Sequence, residues 1–162
     1  LPKVIDADGL NAFKGDEEAL LKIRGPAVLT PHPGEMGRLI GKEARDVQMK
    51  RVGAARDFAS KFCDTVVLKG AATVIASQGE VFINSTGNPG MASGGMGDVL
   101  AGMIGAYLAQ GMNPINAAKS GVFIHGAAGD LAAVQVGESG LIASDLLDRI
   151  PVIVGRLQSR DI

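Results

Sequence analysis

The chain has 162 residues, enough for one hydrophobic core and short of two ordinary domains at roughly 100 to 200 residues each. Apolar residues make up 46% and charged residues 20%, with 16 Lys+Arg against 17 Asp+Glu, which excludes a disordered or collagen-like chain and gives nucleic acid little to hold. Glycine is the outlier, because 23 of 162 is about twice the usual share of roughly 7%, and such a content fits backbone running close to a ligand. One cysteine, Cys63, and two histidines exclude a disulfide framework and a closed four-ligand zinc site, and they agree with a reducing, cytoplasmic setting. The uncharged stretch 99–118 is interrupted by Gln110, Asn113, Pro114 and Asn116, so no membrane span is expected, nor a secretory leader.

Val4-Ile5 reads as a strand already leading into a turn, Asp6-Ala7-Asp8-Gly9, and with Leu1 in first place the chain is expected to be a processed product or part of a longer one. Pro26 to Thr30 is a buried strand stopped by Pro31 and Pro33, after which Gly34-Glu35 opens a short helix toward Leu39-Ile40. From Ala44 to Phe62, apolar Val47, Val52, Ala55, Ala59 and Phe62 recur at helical spacing between charged residues, predicting one amphipathic helix. Thr65–Leu68, Thr73–Ser77 and Val81–Ile83 are strands, the last two joined by a hairpin turn at Gln78-Gly79. Ser85 to Gly97 is a loop. Helices come next over Asp98–Gln110, from Pro114 to about Val134, and from Ser144-Asp145 to Asp148-Arg149, where Pro151 bends or ends the last one. Early strands and late helices place the fold in the α/β class.

Three segments carry chemistry. The stretch 84–98, with Gly87, Gly90, Gly94, Gly95 and Gly97, leaves a strand and ends at a helix start, so its amides and the helix dipole form an anion hole fit for phosphate. Asp98 then stands where a phosphoryl acceptor would meet the phosphate path, as a group that holds or deprotonates a hydroxyl, or else it simply caps the helix. Thr30-Pro-His-Pro-Gly-Glu35 presents His32 and Glu35 at a strand end, where open α/β sheets bind ligands, or is a rigid turn. Leu68-Lys-Gly-Ala-Ala-Thr73 delivers Lys69 toward a nucleotide phosphate, with Gly70 letting backbone pass close by, or is a strand end with a snorkelling lysine. His125 reads as a packed helix residue and Cys63 as a small buried hydrophobe. Walker, dinucleotide, H-E-x-x-H and G-x-S-x-G patterns are absent.

In this order and spacing, Thr30–Glu35, Leu68–Thr73 and Gly87–Gly102 resemble the signatures of the ADP-dependent NAD(P)H-hydrate dehydratase family, a branch of the ribokinase-like superfamily, and the likeness runs from Val4 to the late helices. The resemblance implies a three-layer ribokinase-like fold and the dehydration of the S epimer of hydrated NADH or NADPH, driven by ADP and yielding AMP and phosphate. It implies that His32 and Asp98 contact the hydrated cofactor, with Asp98 catalytic, that Lys69, Gly70, Ala71, Ala72, Thr73 and Gly97 bind the nucleotide, and that Glu35 meets Mg2+ through water. A cytoplasmic homo-oligomer is expected.

Two departures stand out. Met96 occupies a place where a threonine or other small residue is common, and only a local change in packing is expected from it. Family domains are also about a hundred residues longer at the N-terminus, so the fold is expected to lack its opening βαβ units, as a single partial domain over 1–162 with a missing N-terminal segment or fused epimerase domain. A ribokinase-like vitamin kinase and an inactive nucleotide-binding fragment are the alternatives, and His32, where such kinases more often carry Asn, favours the dehydratase.

Overall fold

Strands β1 (Lys3–Ile5), β2 (Ala27–Leu29), β3 (Thr65–Leu68), β4 (Val74–Ser77) and β5 (Glu80–Ile83) form one sheet in sequence order. The computed structural model describes residues 1–62 and 65–159, and Cys63 lies outside the described residues. β1, β2 and β3 are parallel, with Val4 opposite Val28 and Val28 opposite Thr65, whereas β4 and β5 run antiparallel to their neighbours. Parallel strands covered on both faces are read as continuous apolar runs, which is what Ala27-Val-Leu29 and Val66-Val-Leu68 are.

The two faces of the sheet sort these residues with the period of two that a pleated strand imposes. Ala27, Leu29, Val66, Leu68, Val74 and Ala76 pack into one cluster. It is covered by α1 (Ala7–Asn11), α2 (Glu17–Leu21), α3 (Pro33–Ile40), α4 (Ala44–Met49) and α5 (Arg51–Phe62), which contribute Leu10, Leu20, Met36, Val47 and Phe58 among others. Val28, Val67 and Ile75 point the other way, onto Leu100, Ile104 and Leu108 of α6 (Met96–Ala109) and Ala117, Ala118 and Val122 of α7 (Pro114–Val136). This is a three-layer α/β arrangement. A third cluster, with Met96, Ile124, Ala128, Leu146 and Ile153, fastens α8 (Ala143–Leu147) and α9 (Ile150–Ser159) to α6 and α7. Burying each large side chain contributes about 1.5 to 3 kcal/mol.

Several local expectations are corrected. The predicted turn at Asp6–Gly9 is the entry to α1, made with Ala7 at φ 45°. The single helix expected over Ala44–Phe62 breaks at Lys50, whose φ of −131° and ψ of 40° end α4 while its carbonyl accepts the Ala54 N–H inside α5. Val52 is left exposed, and Phe58 is buried beside Ala55, Ala59 and Phe62. β4 starts one residue after Thr73, and its hairpin holds Gln78 and Gly79 at φ 45° and 88°, the left-handed pair that a two-residue turn requires. The expected loop Ser85–Gly97 contains a 3-10 turn at Pro89–Met91, and α6 begins at Met96. The helix expected over Ser144–Arg149 is α8, which ends at Leu147 ahead of Pro151, and Pro151 is the second residue of a further helix, α9, where its missing N–H costs nothing.

Candidate active site

The three parallel strands finish at the same end of the sheet, and backbone hydrogen bonds hold the segments leaving them side by side. Thr30 N–H donates to the Ile5 carbonyl at 3.1 Å, and Lys69 N–H to the Pro31 carbonyl at 2.8 Å. Asp6, His32 and Lys69, the residues just past β1, β2 and β3, are therefore carried to one crevice, the usual place for ligands of an open α/β sheet. Lys69 Nζ donates to Asp6 Oδ1 at 2.6 Å and lies 3.8 Å from Glu35 Oε2. The side chains are 20%, 12% and 7% exposed for Lys69, Asp6 and Glu35, so one ammonium serves two largely dry carboxylates.

Glu35 and His32 lock each other at the start of α3. Glu35 Oε2 accepts the His32 N–H at 2.7 Å, while His32 Nδ1 accepts the N–H groups of Gly34 and Glu35 at 3.0 and 3.2 Å, a reciprocal cap. Accepting at Nδ1 puts the ring proton on Nε2, which faces Glu35 Oε1 at 3.4 Å. The imidazole keeps 50% exposure, so its free side remains open to a ligand. Thr30 is fully buried with its Oγ1 turned to the Ile5 carbonyl, which makes it an anchor of the strand ends and not a wall of the crevice.

The opposite wall is the N-terminus of α6. Gly95, at φ 84°, occupies the cap position, and no side chain among the described residues caps the helix, so its first amides stay available. A Cβ at Gly97 would stand 3.4 Å from both Asp6 Oδ2 and Lys69 Nζ, which places this amide beside the charged cluster. Asp98 is the third residue of α6, exposed, and makes no hydrogen bond or ion pair with any described residue. The simple capping role that the sequence leaves open is thereby excluded. Met96, the departure from the family pattern, is buried among the side chains of the third cluster.

α7 holds the glycine-rich segment in place. Asp130 accepts the Gly87 N–H at 2.8 Å and the Asn88 Nδ2 at 2.9 Å, and Thr86 Oγ1 donates to the Phe123 carbonyl at 2.9 Å. Buried His125 places Nε2 3.0 Å from the Met96 carbonyl, in the first turn of α6, and burial pushes its pKa down to about 4. It is thus the neutral ring, donating through Nε2–H. On the far side of Lys69, the segment 70–73 is closed by Thr73 Oγ1 donating to the Gly70 carbonyl at 2.9 Å, with Arg51 of α5 behind it.

The structure thus gathers Lys69, Glu35, His32 and Gly97, with Asp98 next in chain and 70–73 leading away from Lys69. It adds Asp6, Arg51, His125 and Asp130, whose part in this arrangement sequence reasoning misses. Asp6 reads as a turn residue and Arg51 as part of a solvated helix face, while Asp130 has no local motif to mark it. Position just past a strand is the one signal that could find Asp6.

Fold comparison places the chain in a kinase-like class. It superposes on a ribokinase-like superfamily protein of Enterococcus faecalis with a TM-score of 0.79 at 30% identity, over 94% of this chain and 52% of that one. The family model for NAD(P)H-hydrate dehydratase matches residues 1–152, and the chain belongs to that family. The ADP/ATP-dependent NAD(P)H-hydrate dehydratase of Bacillus subtilis, crystallised with ATP and Mg2+, is similar with a TM-score of 0.82 and 37% identity over 96% of this chain and 55% of that one. The bifunctional NAD(P)H-hydrate repair enzyme Nnr of Moorella thermoacetica is 49% identical over 98% of this chain. The chain spans 30% of that relative's length and about half of these two structural neighbours.

Proposed function

We infer that this chain supplies the phosphoryl-transfer half of an ADP-dependent dehydratase for the S epimer of hydrated NADH or NADPH. The reaction converts hydrated cofactor and ADP to NAD(P)H, AMP and phosphate. ADP passes its terminal phosphoryl group to the ring hydroxyl, whose proton is released, the ring nitrogen's lone pair expels phosphate to leave an iminium, and loss of the proton from the neighbouring ring carbon restores the double bond of NAD(P)H. The observation that carries this reading is the N-terminus of α6, uncapped among the described residues, with Asp98 unpaired among them one residue beyond Gly97. Bare amides and the helix dipole stabilise a transferring phosphoryl group, and a carboxylate with no partner among the described residues is available to orient or deprotonate the hydroxyl.

In this reading His32 and Asp98 contact the hydrated cofactor, and Lys69 to Thr73 with Gly97 receive the nucleotide. Among the described residues no group of three or more His, Cys, Asp and Glu could hold a metal ion, and both oxygens of Glu35 face partners already. These residues do not build a direct metal cage. Mg2+ would arrive on the nucleotide and meet Glu35 only through water. A cytoplasmic, oligomeric enzyme is the setting in which such repair would operate, and no helix among the described residues is long and apolar enough to cross a membrane.

The test is turnover of the native protein with hydrated NADH and either ADP or ATP. Asp98→Asn should lower turnover by roughly 10² to 10⁴ while ADP binding persists. Near-wild-type turnover in that variant ends the catalytic assignment, and ATP-dependent phosphorylation of a small alcohol, with no action on hydrated NADH, would make the protein a kinase.

A further inference from the structure

The segment 69–73 has little of its own to hold one shape. Gly70 and Ala72 sit at φ 140° and 51°, and an L residue such as Ala72 enters that region only when its surroundings impose it. Thr73 Oγ1 closes the segment onto the Gly70 carbonyl, Lys69 N–H and the Thr73 carbonyl pair with Pro31 and Asn84, and Arg51 gathers three of the remaining carbonyls. From the first position of α5, Arg51 Nη2 donates to the Leu68 carbonyl at 2.9 Å and toward the Ala72 carbonyl at 3.5 Å, while Nη1 donates to the Lys69 carbonyl at 3.3 Å and to Gln48 Oε1 at 3.0 Å. Gly70 lies flat on the guanidinium, because a Cβ there would come within 2.7 Å of Nη1. Burial pushes the Arg51 pKa down, so the guanidinium has given up water for these carbonyls.

In a trans peptide the C=O of one residue and the N–H of the next point in opposite directions. Gathering the carbonyls of Leu68, Lys69 and Ala72 on Arg51 therefore turns the amides of Lys69, Gly70 and Thr73 away from it. Lys69 N–H meets the Pro31 carbonyl on that opposite side, as this geometry requires. We propose that Arg51 is the positioning residue of the nucleotide site: it never touches ADP, but its planar fork sets the segment 69–73 so that the amides of Gly70 and Thr73, and not the carbonyls of Leu68, Lys69 and Ala72, face the diphosphate. An ammonium cannot replace it, since a compact point donor does not span carbonyls at both ends of the segment.

This inference rests on the nucleotide reading of 69–73, and the experiment separates the two. Calorimetric titration of the native protein with ADP is compared for wild type, Arg51→Met and Arg51→Lys, alongside KM for hydrated NADH and thermal melting. Arg51→Met should weaken ADP binding about ten- to a hundredfold, the worth of charged hydrogen bonds, with KM for hydrated NADH moving less than about twofold. Arg51→Lys, which keeps the charge, should recover less than half of that loss on a logarithmic scale. Unchanged ADP affinity in Arg51→Met overturns the proposal, and so does an equal loss of ADP and hydrated NADH, which marks a general structural defect. Should Arg51→Met fail to fold, Arg51→Lys decides alone, and wild-type ADP affinity in it overturns the proposal. A wild-type protein that binds no ADP at all refutes the nucleotide reading itself, and this inference with it.

Discussion

Acid should loosen the start of α6 through the buried ring of His125. His125 is buried on α7, its Nε2 is 3.0 Å from the Met96 carbonyl, and burial lowers its pKa to about 4. In the unfolded chain the same ring titrates near pH 6.5. Between these values the unfolded state binds more protons than the folded one, so stability is full above about pH 6.5 and falls as pH drops toward 4. One histidine with this shift costs about 2 kcal/mol at pH 5 and about 3 kcal/mol at pH 4, relative to pH 7.5. Urea melts followed by far-UV circular dichroism at a series of pH values give this slope directly. His125→Gln keeps a donor for the Met96 carbonyl and cannot take a proton, so its stability should be flatter by those amounts. If wild type and His125→Gln lose stability in parallel between pH 7.5 and 5, the ring does not carry the effect and the argument fails.

Lys69→Ala leaves the largely buried carboxylates of Asp6 and Glu35 without the ammonium they share. It should cost about 3 kcal/mol of stability, the low end for breaking a buried pair, and about 1 to 3 kcal/mol of ADP affinity; chemical melts and calorimetry check both, and an unaltered melt would deny the pair its role. Gly126→Ala drives a Cβ to 2.7 Å from the Thr86 carbonyl carbon, so it should destabilise by about 1 to 3 kcal/mol. Gly53→Ala meets nothing within 4 Å on α5 and should stabilise by about 0.5 to 1 kcal/mol; thermal melts of the pair with opposite signs are the expected result.

Interactions near in sequence decide how much can be read from the residues. The hairpin at Gln78-Gly79 is legible because left-handed turn residues sit between two β-branched runs, and α3 because Gly34-Glu35 opens a helix, although Pro33, read as a strand stop, is its first residue. α1 and α2 escape because five-residue helices hold too few positions to display a period. The break at Lys50 is hidden for a different reason: apolar spacing continues through it, and only tertiary packing chooses Phe58 over Val52. At the site, the glycine-rich segment and Lys69 are visible as local patterns. The Asp6–Lys69 pair joins residues 63 positions apart, and no local pattern encodes a partner at that distance.

The glycine-rich segment takes its shape from partners that come 29 to 43 residues later, on α7. During synthesis it therefore leaves the ribosome before the helix that moulds it exists, and its many glycines give it no preferred form to wait in. Loop closure over such a span must come first, which puts assembly of the glycine-rich segment among the late events of folding. The same dependence runs backward in the native state. Any transient detachment of α7 would release the segment at once, so the Gly87 amide should exchange with solvent no more slowly than the opening of that helix allows.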